Sequence, residues 1–377
     1  MILNKVLINN FASFRSIEVK LGKVSVLVGP NASGKSNFIR ALNFLRLLTS
    51  GEYVERVSAM LGYREFTNLV FGQNSSLNVG FSLEVSGENG TYHYSISLSA
   101  KGTVNQEKLM FNKLQLLRTE LEYGYLTAYY LNTSGSLASC SFSIPLHNST
   151  LPTISKLNES DQRIKTFYKY LLSWDFYSFN PEAIMAENRV TFSRRLSRDG
   201  GNLAQVLHTL LTTYRSDFNK VESMLKNCVP EIEELLVPPS REPGKVYVAI
   251  RERGFKAPFS FKQISDGTLR LLAFITALTL DSSLIGFEEP ENCIHPYLLE
   301  TLMDLVRKSG KQVLITTHSP YLLDYVKPEE VLLVAKVKGE TKIKRLVESR
   351  EVEDVKRFLK EGGTLGEALY SGAVGYE

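Results

Sequence analysis

Three textures follow one another along the chain. The opening, ILNKVLINNFASFRSIEVKLGKVSVLVGP, reads as short strands around loops and ends in the β-branched run Val24–Val28. Apolar residues then recur at positions 38, 39, 42, 45 and 48, a helical spacing that predicts a helix over Ser33–Leu48. From about 77 to 146 the pattern changes to alternation. SLNVGFSLEVSG and TYHYSISLSA flank the turn residues Glu88-Asn89-Gly90, which predicts an antiparallel hairpin extended by further strands to about 144. Residues 158–235 turn helical, interrupted by Asn180-Pro181 and by the basic, glycine-bearing RVTFSRRLSRDGGN, and LVPPSREPG at 236–244 is a loop.

From 245 onward strands and helices alternate. The pattern predicts strands at Val246–Arg251, Ser283–Phe287, Gln312–Thr316 and Glu330–Lys336, with helices at 266–280, Pro296–Lys308, Pro320–Tyr325 and Val352–Lys360. Such alternation implies an α/β architecture whose sheet is mostly parallel and flanked by helices. There is no repeat of 20–50 residues and no long heptad run, which argues against a solenoid or a long coiled coil.

Composition narrows the class. Of 377 residues, 43% are apolar and 22% charged, values of a globular chain rather than a disordered one. No apolar run reaches membrane-spanning length, and Met1-Ile2-Leu3 leads directly into strand-like alternation, so neither a membrane span nor a signal peptide is expected. The net charge of +4 permits an acidic partner without arguing for one. Cys140, Cys228 and Cys293 lie far apart with no C-x-x-C pair, and the five histidines are scattered. A cytoplasmic location and a scaffold without its own metal framework follow as expectations.

Two stretches carry chemistry. GPNASGKS, Gly29–Ser36, matches G-x-x-x-x-G-K-[ST] between a predicted strand and a predicted helix. In that pattern Gly29 and Gly34 let the backbone curl, so that the amides of Pro30, Asn31, Ala32, Ser33 and their neighbours through Asn37 surround phosphate oxygens (Pro30 shapes the loop without donating). Lys35 reaches the β- and γ-phosphates and the Ser36 hydroxyl is a ligand for Mg²⁺, which makes ATP and Mg²⁺ the implied cofactors. The alternative is a glycine turn with a solvated lysine, but a chance match in a chain this long arises only about once in a hundred.

The second stretch, SSLIGFEEPE, is an apolar strand that delivers Glu288 and Glu289 to a carboxyl edge, where parallel sheets bind ligands. A solvated strand end is the plain alternative. Beside a phosphate loop, Glu288 is assigned to Mg²⁺ or its waters, and Glu289 to orienting or deprotonating the attacking water. VLITTHSP is a second apolar strand, ending on His318 at the same predicted edge, where the ring can bond a γ-phosphate or the catalytic carboxylate. His295 precedes Pro296 and reads as a helix-start residue. Ser265 and Asp266 read as the cap of the 266–280 helix. Cys293 reads as a buried small hydrophobe rather than a reactive thiol.

The ordered set GPNASGKS, SDGTLR, LIGFEEPENCIHP and LITTHSP resembles the ABC-type ATPase heads of the RecF and SMC-like group, and in particular stand-alone AAA-labelled proteins related to the OLD family. INNFASFRS is similar to that group's N-terminal strand motif and LGEALYSG to its tail, so the motifs span about residues 7 to 373. The resemblance implies a P-loop NTPase fold with an antiparallel β subdomain and a helical insert, divided as 1–155, 156–244 and 245–377 within one composite ATPase domain. It further implies a homodimer that sandwiches two ATP molecules, with Ser265 and Gly267 touching a γ-phosphate across the dimer. Asn292 falls where the group's D-loop runs between the two copies, and Arg15 matches a basic position near the phosphates.

Some features depart from that pattern. Position 288 is usually Asp, and the longer Glu puts a direct metal bond in question. The metal-side loop glutamine has only Gln73 as a candidate, and a surface loop is the competing reading there. A C-terminal Toprim nuclease like that of full-length OLD proteins is not expected in the stretch after His318. The group's settings are DNA repair, chromosome handling and anti-phage defence, with a separately encoded nuclease or effector as an implied partner. Two other readings stay open, the ATPase subunit of a membrane transporter and a slow nucleotide-gated regulatory module. SDGTLR in place of an LSGGQ-like string argues against the transporter. Finally, Arg189, Arg194, Arg195 and Arg198, with Phe192 among them, form a basic cluster that either contacts DNA or is a solvated loop.

Overall fold

The structure, a computed structural model, describes residues 1–74, 76–122, 125–144, 146–348 and 352–370. Two compact units divide the chain, one built from Met1–Trp174 and a return at 329–348, the other from Asp175–Pro328 and 352–370. The boundary at Trp174 lies inside the stretch read as a helical insert.

In the first unit eight antiparallel strands form one sheet, in the order Phe14–Lys20, Ile2–Phe11, Val79–Gly87, Gly90–Leu98, Val104–Phe111, Leu114–Glu122, Tyr125–Leu131 and Leu137–Ser143. The expected hairpin is present, with Gly87 opposite Gly90 around Glu88-Asn89. The opening strands belong to the same sheet, Val6 opposite Leu83 and Ile8 opposite Phe81, a pairing that sequence pattern does not disclose. Alternation buries Val79, Phe81, Leu83 and Val85 on one face. The helix Lys35–Thr49 packs there: the Phe44 ring lies 5.3 Å from Phe11, 5.5 Å from Phe66 and 5.8 Å from Phe81. Ring pairs of this kind add about 1 kcal/mol each beyond the area they bury.

The same unit holds a second, smaller sheet region. Val24–Val28, buried throughout, pairs in parallel with Val331–Val337. That strand turns at Lys338-Gly339, both at positive φ (50° and 86°), into the antiparallel strand Glu340–Arg345. The two positive φ values are those of a type I′ hairpin. The returning strand ETKIKR has alternation too polar to be read from sequence.

In the second unit Leu284–Glu288 and Gln312–Thr317 pair in parallel, Glu288 opposite Thr316. Trp174–Tyr177 runs beside Leu284–Glu288 as a strand inside sequence read as helical; its four residues are all buried and too few to show a period. The helix Asp266–Thr279 covers this pair, with Phe274 4.4 Å from Phe287 and Tyr177 5.7 Å from the same ring. The strand expected at Val246–Arg251 is split into Lys245–Val246 and Ala249–Glu252, the latter pairing with Ile232–Leu236 and Phe259–Ser260. The chain ends its described course in the helices Val352–Lys360 and Leu365–Tyr370, and Ser371 and Gly372 of the tail motif lie outside the described residues. Among the described residues no helix is long and apolar enough to cross a membrane.

Candidate active site

The loop after Val24–Val28 is shaped by its two glycines. A Cβ on Gly29 would lie 2.0 Å from the Val334 carbonyl oxygen, and one on Gly34 would lie 2.2 Å from Thr341 Oγ1. Gly34 also has φ 112°, and Ala32 has φ 60°, so left-handed residues alternate along the loop and turn its amides inward. Pro30, Asn31 and Ala32 stand exposed at the apex. The helix begins at Lys35 with no side-chain cap and no acidic residue in its first turn, which leaves its positive end unopposed. Both features favour an anion.

Lys35 is 5% exposed, and its Nζ donates to the carbonyls of Gly29 at 2.7 Å and Pro30 at 3.0 Å. The ammonium is therefore held over the loop. The Ser33 hydroxyl is buried with no hydrogen-bond partner among the described residues. Ser36 is half-buried in the first helical turn and offers the hard oxygen that Mg²⁺ takes. Asn37 is turned to the scaffold, its Nδ2 donating to Ser13 Oγ at 2.8 Å. Arg15, with a 69% exposed side chain, pairs with Glu340 at 3.4 Å. Lys342 first, and then Arg15, hold the Glu340 carboxyl below the usual range. Gln73 is exposed in a short 3₁₀ turn with φ 53°.

In the second unit the strand Leu284–Glu288 hands over to a strained corner, Glu289 at φ 47°. The Glu289 amide donates to the Thr316 carbonyl at 2.9 Å, its Oε1 lies 3.1 Å from His318 Nδ1, and its Oε2 accepts from Asn292 Nδ2 at 3.0 Å. A carboxylate so held, one-third exposed and beside an imidazole, can orient water and take its proton. Glu291 lies behind it, and burial pushes its carboxyl up; the Thr317 hydroxyl donates to it at 2.5 Å. Glu288 is different. Its side chain is 11% exposed and Arg198 reaches it at 2.5 Å, so that carboxylate already has a cation. As it stands, Glu288 does not fit a direct bond to Mg²⁺, whereas Ser36 does.

Ser265 caps Asp266–Thr279 as expected, its hydroxyl accepting from the Thr268 amide at 3.2 Å. Gly267 has no room for a side chain: a Cβ would meet the Cys293 carbonyl oxygen at 2.3 Å. Contrary to the sequence reading, Cys293 is exposed, lifted out by a left-handed φ of 65° in the tight loop after the acidic pair. His295 starts the next turn, its Nδ1 accepting from the Tyr297 amide at 3.5 Å.

Residues 139–324 match the family described as "AAA domain, putative AbiEii toxin, Type IV TA system", and residues 1–79 match the family described as "AAA ATPase domain". No curated protein matches the chain. Among solved structures, an SMC head bound to the C-winged helix domain of ScpA is similar with a TM-score of 0.59 at 11% identity, over 91% of this chain and 98% of that one. An SMC head with an extended coiled coil, bound to the C-terminal domain of ScpA derived from Pyrococcus furiosus, gives 0.57 at 11% identity, over 96% and 99%. This chain has the fold of an ABC-type, SMC-like ATPase head.

Within this fold, the basic cluster is largely spoken for. Arg194 pairs with Asp281 at 2.9 Å and Asp217 at 3.3 Å while lying 3.9 Å over the Tyr214 ring, and Arg195 pairs with Asp175 at 2.6 Å. With Arg198 on Glu288, three of the four arginines are neutralised inside their own unit, and Arg189 stays exposed with Phe192. The tail motif also gains a purpose. The Tyr370 hydroxyl donates to the His318 carbonyl, and the Gly366 amide donates to Asp324 Oδ1 at 3.1 Å, so the last helix fastens the segment that carries the histidine. Residues that sequence reasoning passed over include Ser13, Thr341, Asp324 and Tyr370. Only Ser13 and Tyr370 lie in stretches whose family resemblance was legible.

Proposed function

We propose that this head binds and hydrolyses ATP, dimerises around it, and drives a conformational change in a partner. The observation that carries the reading is the phosphate loop, with left-handed Gly34, buried Lys35 and an uncapped helix start in one turn of chain. Lys35 and the loop amides hold the β- and γ-phosphates, and Glu289, oriented by His318 and Asn292, positions the attacking water and accepts its proton. Mg²⁺, when bound, supplies neutralisation of phosphate charge; the Ser36 hydroxyl would hold it, with Glu288 acting through water. Ser265 and Gly267 present the amino end of Asp266–Thr279 to the nucleotide of a second copy.

Among the settings implied by resemblance, defence or toxin control is favoured, because one matched family is described by a toxin–antitoxin system. An effector protein is the proposed partner, since both SMC heads are bound to a ScpA domain. DNA contact has support only from exposed Arg189 and Phe192. The free thiols of Cys140, Cys228 and Cys293 favour the cytoplasm. The transporter reading is not favoured by the family matches or the structural ones. The slow nucleotide-gated module survives as a second reading on the strength of the toxin–antitoxin description.

A turnover assay separates the two. Glu289→Gln is expected to lower hydrolysis by about 10² or more while ATP binding persists, and Lys35→Ala is expected to lose binding. Equal, slow turnover in wild type and Glu289→Gln would overturn the hydrolytic reading and favour the gated module.

A further inference from the structure

Resting on the phosphate-loop reading above, we infer that Thr341 is a positioning residue that sets the Ser33–Gly34 peptide for phosphate binding. Thr341 sits on the returning strand Glu340–Arg345 and is completely buried. Its hydroxyl lies 2.7 Å from the Ser33 carbonyl oxygen and 2.7 Å from the Ser13 hydroxyl, and its amide donates to the Ser13 carbonyl at 2.9 Å. The Thr341 hydroxyl is the donor toward both the Ser33 carbonyl and Ser13 Oγ, and Ser13 Oγ also accepts from Asn37 Nδ2 at 2.8 Å. Ser13 and Asn37 thus hold the Thr341 hydroxyl in place beside the Ser33 carbonyl.

Peptide geometry turns this contact into a statement about the anion. In a planar trans peptide the C=O and the following N–H point opposite ways. Anchoring the Ser33 carbonyl on the scaffold therefore aims the Gly34 amide away from Thr341, toward the concave side of the loop. Without the anchor the flat peptide can rotate, and a carbonyl facing the phosphates would repel them. The contact also explains position 34 beyond its left-handed φ, because Thr341 Oγ1 and Cγ2 occupy the space of any Cβ there, at 2.2 and 2.7 Å. INNFASFRS thus meets the phosphate loop through Ser13, and Asn37 serves the loop indirectly.

Binding of a fluorescent ATP analogue to the full chain tests this, with urea midpoints alongside. Thr341→Val keeps shape and removes the hydroxyl; the expected result is a dissociation constant raised about tenfold or more. Thr341→Ser is expected within about threefold of wild type, a rescue that a purely space-filling role would not give. Ser13→Ala keeps the bond to Ser33 and is expected to weaken binding less than Thr341→Val. Should the valine variant not fold, Thr341→Cys, a weak donor of similar size, is expected to lose at least about fivefold. Wild-type affinity in a folded Val or Cys variant, or equal losses in Val and Ser, overturns the inference. Wild type that binds no ATP overturns the nucleotide reading instead, so the two failures are distinguishable.

Discussion

Arg198 and Glu288 stand 90 residues apart in the chain and 2.5 Å apart in the fold. Removing the guanidinium would leave a carboxylate that water reaches poorly, at a cost of about 2 kcal/mol. Urea unfolding of Arg198→Met, Glu288→Gln and the double variant closes a cycle in which a coupling of at least about 1 kcal/mol is expected. Strict additivity would show the contact to be idle. The pair also marks the limit of reading charge from sequence. Four arginines in ten residues look like a patch for an acidic polymer, yet three find carboxylates brought in from elsewhere in the unit. Gly29, Gly34 and Lys35 were legible because their chemistry is local. Thr341 was not, since nothing in ETKIKR hints that its threonine touches a loop 308 residues earlier.

Strands and helices with a long period were readable, and their partners were not. The Glu88-Asn89 hairpin and the helix Asp266–Thr279 follow from alternation and capping. The short strand Trp174–Tyr177 and the recruitment of Ile2–Phe11 into the antiparallel sheet depend on burial that only the fold supplies. One element carries a pH signature. Lys311 precedes the strand Gln312–Thr317, donates to the Leu280 carbonyl, and is pushed by burial from 10.5 down to about 8, although Asp281, Asp175 and Asp217 pull the other way. Between those values the unfolded chain keeps a proton that the folded one has released, so stability rises with pH across that window. Below about pH 8 both states hold the proton and the cost of burying the charge is present in full. Measured against Lys311→Met, the stability of wild type should therefore improve by an amount on the order of 2 kcal/mol between pH 8 and 10. A pH-independent difference in urea unfolding would refute the burial of that ammonium.

For the whole molecule, the proposed dimer is the sharpest claim. Sedimentation of Glu289→Gln with ATP and Mg²⁺ is expected to show a dimer that dissociates without nucleotide. Adding Ser265→Arg, which places a bulky cation at the exposed cap of Asp266–Thr279, should keep that protein monomeric, and in the wild-type background the same substitution should abolish turnover while leaving ATP binding at Lys35 intact. A strict monomer at saturating ATP in the Glu289→Gln protein would count against the sandwich.

The order in which the chain is made gives the Thr341 contact another meaning. The phosphate loop, its helix and the strands that cover them are synthesised early, but the hydroxyl that orients the Ser33–Gly34 peptide arrives with the return strand, after residues 175–328 of the second unit. A nascent chain can therefore assemble its early sheet while its nucleotide cradle is still unset. Copies stalled or cut before that strand carry GPNASGKS without the anchor it requires. ATP binding is therefore expected to be weaker in copies stopped before residue 341 than in the complete chain.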